Sequence, residues 1–193
     1  MTNSEIQKLL ENQRAFYQTG STIPVSFRVA QLKKLHAAVA AHEAAIARAL
    51  QEDLGKSPFE GFMCETGLVL SELSFLIRNT KRLARGKTVP TPLAQFPSRS
   101  FTQPVPYGST LIMSPWNYPF LLTMEPLADA IAAGNTASSS PAPTLLPREG
   151  SLPKFCPGAL TRPMWLWSRE VGRKTAPCWS RNSTSFSSPA ARG

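Results

Sequence analysis

The octet Met113-Ser114-Pro115-Trp116-Asn117-Tyr118-Pro119-Phe120 holds the residues best suited to chemistry. Asn117 is a neutral amide between two prolines, which restrict the backbone on either side of it. A fixed, uncharged N–H donor stabilises a developing oxyanion without changing its own protonation. Removing one such donor typically costs about 3 kcal/mol of barrier. On the residues alone, the favoured reading makes Asn117 a helix N-cap, a position that favours asparagine. Met113 and Trp116 beside it read equally well as ligand contacts or as packing.

The flanking segments predict how this octet is held. Tyr107 to Met113 alternates like a strand, interrupted by Gly108, and Phe120 to Ala133 is an apolar run that reads as a helix ending at Gly134. Strand-to-helix turns at the carboxyl edge of a sheet are where α/β folds place ligand and catalytic groups. Upstream, Ser4 is suited to cap a helix through Gln18, with Ile6, Leu9, Leu10 and Phe16 on its apolar side and Gly20 beyond its end. One long helix is expected from Val25 to Leu54, carrying Val29, Leu32, Val39, Ile46 and Leu50 at helical intervals, with Gly55 at its left-handed C′ position. Ser57, Pro58 and Glu60 form a capping box that opens a further helix to Arg85, offering Leu68, Leu70, Leu73 and Ile77 for burial. Gly86 stops that helix, a proline-interrupted connection spans Thr88 to Pro97, and Ser100 to Val105 reads as another strand. Helices followed by strands and a helix predict an α/β fold.

Composition excludes several function classes. The net charge of +9 is unevenly placed: residues 1–136 hold 13 Lys/Arg against 10 Asp/Glu, and residues 137–193 hold 8 against 2. Only the second part is strongly basic, so a specific nucleic-acid surface is not expected. Cys64, Cys156 and Cys178 form neither a CxxC pair nor a disulfide framework, and Cys64 reads as a buried free thiol. His36 and His42 lie six residues apart, a poor spacing for one helix face, and no metal site is expected. No apolar run reaches the roughly 18 to 20 residues of a membrane span. The N-terminal stretch carries Glu5 and Glu11 and lacks a signal-peptide core, so a cytoplasmic location is expected.

Residues 1–136 resemble the N-terminal, cofactor-binding part of aldehyde dehydrogenases, and the short dimeric class 3 branch in particular. The resemblance rests on Ser26-Phe27-Arg28, Asp53-Leu54-Gly55-Lys56-Ser57, Glu65, Pro106-Tyr107-Gly108, Pro115 to Pro119 and Ala132-Ala133-Gly134-Asn135-Thr136, in family order and spacing. It implies a modified Rossmann fold and a strand extension for homodimerisation near 100–105. It also implies NAD- or NADP-dependent oxidation of an aldehyde to a carboxylic acid through a cysteine thiohemiacetal. Asn117 would then serve the oxyanion, and Met113, Ser114, Pro115 and Trp116 would form part of the nicotinamide-side wall.

The resemblance stops near Thr136. Residues 137–193 are rich in Ser, Pro, Arg and isolated Trp, show no sustained period, and read as a disordered, non-family tail. The cysteine nucleophile and glutamate base that the resemblance calls for are not found, and neither Cys156 nor Cys178 has a suitable setting. Codons for Thr136 onward, read two nucleotides out of phase, permit GVVKPSAYSP, and those for Asn182 to Arg192 permit FDFIFFTGSTR in the same phase. The first contains the Lys-Pro-Ser segment and the second the glycine-serine cofactor turn that the resemblance implies. The tail therefore reads as the out-of-frame product of a single-nucleotide loss near codon 136. As written, the chain is expected to be an inactive fragment or a non-enzymatic interaction module.

Overall fold

The computed structural model describes residues 3–140 and 165–167. Helix α1 spans Asn3–Gln18, α2 Val25–Ala41 and α3 Glu43–Leu54. The short α4, Pro58–Gly61, runs through a π-helical turn at Phe62–Thr66 into α5, Gly67–Leu83. Strands β1, Lys87–Val89, and β2, Ser100–Thr102, pair antiparallel as a separate ribbon. A parallel sheet of order β3-β4-β5 is formed by Ser109–Met113, Thr136–Ser140 and Trp165–Trp167, and α6, Leu121–Ala133, is the crossover between its first two strands. The expected α/β architecture is present.

Several boundaries differ from the sequence reading, each for a local reason. The helix expected from Val25 to Leu54 breaks at His42 (φ −111°), which lets α3 turn and bury Ile46, Ala49 and Leu50. Val39 and Ile46 are seven residues apart, two helical turns, so the apolar period passes through the break without a slip. On α5 the buried stripe is Val69, Leu73, Leu76 and Thr80, while Leu68 is exposed. That stripe is in phase with Glu65, which must face inward. Strand β2 ends before Pro104, which has no N–H to offer a ladder. Strand β3 begins after Gly108, whose φ of +115° interrupts the extended backbone. Helix α6 begins at Leu121 rather than Phe120, and Ser4 lies inside α1. The expected connection from Thr88 contains β1.

Regular structure also runs past residue 136. Strand β4 pairs in register with β3 from Ser109 opposite Thr136 to Met113 opposite Ser140, and β5 pairs with β4 from Ala137 to Ser139. Residues 141–164 and 168–193, including Cys156 and Cys178, lie outside the described residues.

The core is one cluster built around α6. Phe120, Met124, Leu127, Ala128, Ala130 and Ile131 meet Leu32, Leu35 and Val39 of α2, Ile46 and Leu50 of α3, Val69, Leu73 and Leu76 of α5, and Ile112 and Ala137 of the sheet. The carboxyl end of α6 is fixed by Arg28, which is buried and donates from Nε to the Thr22 carbonyl (2.9 Å), from Nη2 to that of Ile23 (2.7 Å) and from Nη1 to that of Ala132 (3.2 Å). Burial lowers the guanidinium's proton affinity, with Tyr17 acting the other way. Gly134 is demanded twice over: its φ is +91°, and a Cβ there would sit 2.8 Å from Arg28 Cζ.

The α5–α6 interface holds three carboxylates. Burial raises the pKa of Glu72, Glu125 and Asp129; like charge from Asp129 adds to the rise at Glu72, and from Glu72 and Asp129 at Glu125. Folded values above the ordinary ones mean that the native chain binds more protons than the unfolded chain between the two. Their contribution therefore turns unfavourable as pH rises through that window, and its full cost is present above the raised values. The triple variant E72Q/E125Q/D129N should show a smaller loss of stability than the unsubstituted chain as pH rises from about 4 to 7. Urea titrations at each pH measure it, and an unchanged slope would refute the assignment.

Candidate active site

The turn between β3 and α6 is assembled from three directions. On one side Ser114 is buried and its Oγ lies 2.5 Å from Thr123 Oγ1, which donates to the Pro119 carbonyl at 2.6 Å. Thr123 has a single hydroxyl hydrogen, already used on Pro119, so Ser114 is the donor to Thr123. This chain of two hydroxyls closes the turn onto the first turn of α6. The same backbone carries Met113, Pro115, Trp116 and Asn117, all exposed, with Met113 61% and Trp116 66% accessible.

On the other side stands a buried ion pair. Lys56 Nζ donates to Glu65 Oε1 at 2.5 Å, and the Glu65 side chain has no solvent exposure. The second oxygen, Glu65 Oε2, accepts the backbone N–H groups of Phe120 (2.8 Å) and Leu121 (3.2 Å). The first amides of a helix have no intrahelical acceptor and carry the positive end of its dipole, so a carboxylate suits them on both counts. Glu65 lies in the π-helical turn, a feature found often at functional sites. Lys56 also donates to the Asn117 carbonyl at 3.1 Å and lies 4.1 Å from the centroid of the Tyr118 ring.

The third direction is the sheet. Asn135 Oδ1 accepts from Gly108 N (2.9 Å), and Thr136 N donates to Gly108 O (2.8 Å), which aligns the start of β4 with the start of β3. Gln13 of α1 donates from Nε2 to the Ala137 carbonyl and accepts from Ser138 Oγ, both at 2.8 Å.

The alternative of Asn117 as an N-cap is not what the geometry shows. Phe120 is the N-cap of α6, and Glu65 supplies the acceptor. The Asn117 side-chain amide makes no hydrogen bond to a described residue. The five predicted site residues are consecutive, Met113 closing β3 and Ser114 to Asn117 forming the turn at its carboxyl end. Lys56 and Glu65, which hold that turn, stand out in the sequence only as members of the matched segments. A signal for Glu65 was available, because an acid at position 65 lies on the same helical face as 69, 73, 76 and 80. Cys64 is half-buried rather than buried, His36 Nε2 lies 3.2 Å from Ser74 Oγ, and His42 sits at the α2–α3 break. Among the described residues no group of three or more His, Cys, Asp or Glu side chains is placed to hold a metal ion. No described helix is long and apolar enough to cross a membrane.

The aldehyde dehydrogenase family model matches residues 1–145. The chain belongs to the aldehyde dehydrogenase family. It is 43% identical over 136 residues to the 4,4'-diaponeurosporen-aldehyde dehydrogenase of Staphylococcus aureus, covering 70% of this chain and 30% of that protein. It is 34% identical over 139 residues to the dimeric NADP-preferring aldehyde dehydrogenase of Canis lupus familiaris, covering 72% of this chain and 30% of that protein. Among solved structures, the substrate-bound Staphylococcus aureus AldH superposes with a TM-score of 0.79 at 36% identity, over 84% of this chain and 36% of that one. The chain thus spans about 30% of the length of these curated relatives.

Replacing Thr123 by valine should destabilise the chain by about 1–3 kcal/mol, because it leaves the buried Ser114 hydroxyl without its acceptor and the Pro119 carbonyl without its donor. Urea unfolding measures this; a change below about 0.5 kcal/mol would mean that the hydroxyl chain does not hold the turn.

Proposed function

We propose that this chain carries the oxyanion and cofactor-side part of an NAD(P)-dependent aldehyde dehydrogenase, with the Asn117 side-chain amide as the donor to the oxyanion. One observation carries the reading: an amide projects from a turn whose backbone is pinned on both sides, at the carboxyl edge of a parallel sheet. A donor held in advance of the reaction loses nothing to reorganisation when charge develops on the carbonyl oxygen. Met113, Ser114, Pro115 and Trp116 would hold the nicotinamide side. The exposed faces of Met113 and Trp116 fit a flat ring, and Ser114 is turned inward to fix the backbone. The bound dinucleotide would supply the hydride acceptor. The substrate is an aldehyde, and the location cytoplasmic.

The 193-residue chain does not turn over aldehyde by itself in this reading. Its half of the site binds and orients, and the free thiol among the described residues, Cys64, sits in the π-helical turn beside Glu65. The tail from about residue 137 is a shifted translation. Strand β4 supports this reading. A central parallel strand is covered on both faces and ordinarily filled by Val, Ile or Leu. Here it reads Thr136-Ala137-Ser138-Ser139-Ser140, with Ser138 and Ser139 buried and Ser139 Oγ without a hydrogen-bond partner among the described residues. The shifted phase puts valines and a lysine in that segment.

A second reading, an interaction module, is favoured by the β1–β2 ribbon. Phe101 is 66% exposed on a two-stranded sheet, with Leu93 and Phe96 exposed in the connection between its strands. Pairing with a second subunit through this ribbon would match the homodimer expected from the resemblance.

Sequencing the coding DNA through codons 130–145 and beyond 193 tests the frame, and an NADH-formation assay tests the chain. We expect one restored nucleotide to open a frame encoding Val-Val-Lys-Pro-Ser, and the 193-residue protein to give no aldehyde-dependent NADH. In the restored-frame enzyme, N117A should lower kcat by about 10²–10³. Turnover by the 193-residue chain would overturn the fragment reading, and full kcat in N117A would overturn the role of Asn117.

A further inference from the structure

We propose that Lys56, backed by Glu65, is a positioning residue that sets where Asn117 sits; the functional meaning of that position rests on the reading above. Glu65 reaches the chain at two places. Its Oε2 holds the amides of Phe120 and Leu121, and its Oε1 holds Lys56, which in turn holds the Asn117 carbonyl. The four-residue segment from Asn117 to Phe120 is therefore spanned by one carboxylate, directly at its far end and through an ammonium at its near end. Tyr118, between them, lays its ring against the same ammonium. The segment has no other described tie at Asn117, because the Ser114–Thr123 hydroxyls act at Ser114 and Pro119.

The two charged groups divide the work. Glu65 caps α6, a role the neutral isostere glutamine would keep through its carbonyl oxygen. The hydrogen bonds of Lys56 to described residues go to Glu65 and to the Asn117 carbonyl, so Lys56 adds the tie to Asn117. A hydrogen-bond donor that must meet a developing oxyanion needs its geometry held to about 0.5 Å. The Asn117 side chain has no partner of its own among the described residues, so its backbone must supply that constraint.

The test uses the full 193-residue chain labelled with ¹⁵N-asparagine. Asn117 and Asn135 signals are assigned by their loss in N117S and N135S. Asn135 sits at the opposite end of α6, bonded to Gly108, and serves as an internal control. The variant K56M/E65Q removes the tie to Asn117 and leaves no buried unpaired charge, since glutamine still accepts from Phe120 and Leu121. We expect the Asn117 signals to move to random-coil positions while Asn135 stays in place.

Asn117 unmoved in K56M/E65Q would overturn the proposal. Loss of both asparagines together would also overturn it, reducing the pair to a stabilising contact, as would random-coil Asn117 signals in the unsubstituted chain. The measurement uses neither aldehyde nor dinucleotide. If the clamp holds while N117A turns over normally in the restored-frame enzyme, the oxyanion reading fails and the clamp stands.

Discussion

Helix α6 is the member on which the rest of the structure depends, and it is held at both ends by buried charge of the appropriate sign. A carboxylate, Glu65, meets its amino end, and a guanidinium, Arg28, meets its carboxyl end. Each neutralises part of the helix dipole and satisfies backbone groups that would otherwise be orphaned inside the protein. Removing Glu65 would strand Lys56 in the interior, a change that typically costs about 3–5 kcal/mol. Because α6 is the crossover between β3 and β4, anchoring it fixes the strand register and the turn that presents Asn117.

This arrangement explains why the matched segments lie so far apart in the sequence. Ser26-Phe27-Arg28 reaches the end of α6 near Gly134; Lys56 and Glu65 reach its start near Pro119; Pro106-Tyr107-Gly108 meets Asn135 and Thr136. The motifs are pieces of two anchoring points rather than independent signatures. The glycines follow the same logic. Gly134 is required by the approach of Arg28 and by its own positive φ, and Gly55 by the left-handed turn that delivers Lys56.

Much of this was legible in the residues. The N-cap at Ser57, the stops at Gly55 and Gly134, the strand before the octet and the helix after it are set by local chemistry. They are where the reading placed them to within a few residues. What escaped was set by tertiary contacts. The break at His42 leaves the apolar period intact, and the π-helical turn inserts a residue without changing composition. Strand β1 is three residues long and gains its identity from pairing with β2. At the site, the turn could be read because prolines and asparagine are conspicuous, whereas a lysine just after a helix stop looks like any solvated cation. Only the fold shows that Lys56 is buried against Glu65.

The contact between Gln13 and β4 has a consequence for how the chain is made. The side chain of Gln13 bonds to Ala137 and Ser138, separations of 124 and 125 residues. Helix α1 is therefore made well over a hundred residues ahead of its polar anchor. Until that anchor is made α1 has nothing to dock on at that face, and closing so long a loop carries an entropic cost that the local helix pairs do not face. The order of synthesis and the order of assembly are therefore opposed: α2, α5 and α6 are able to consolidate first, and α1 locks down only once β4 has followed them.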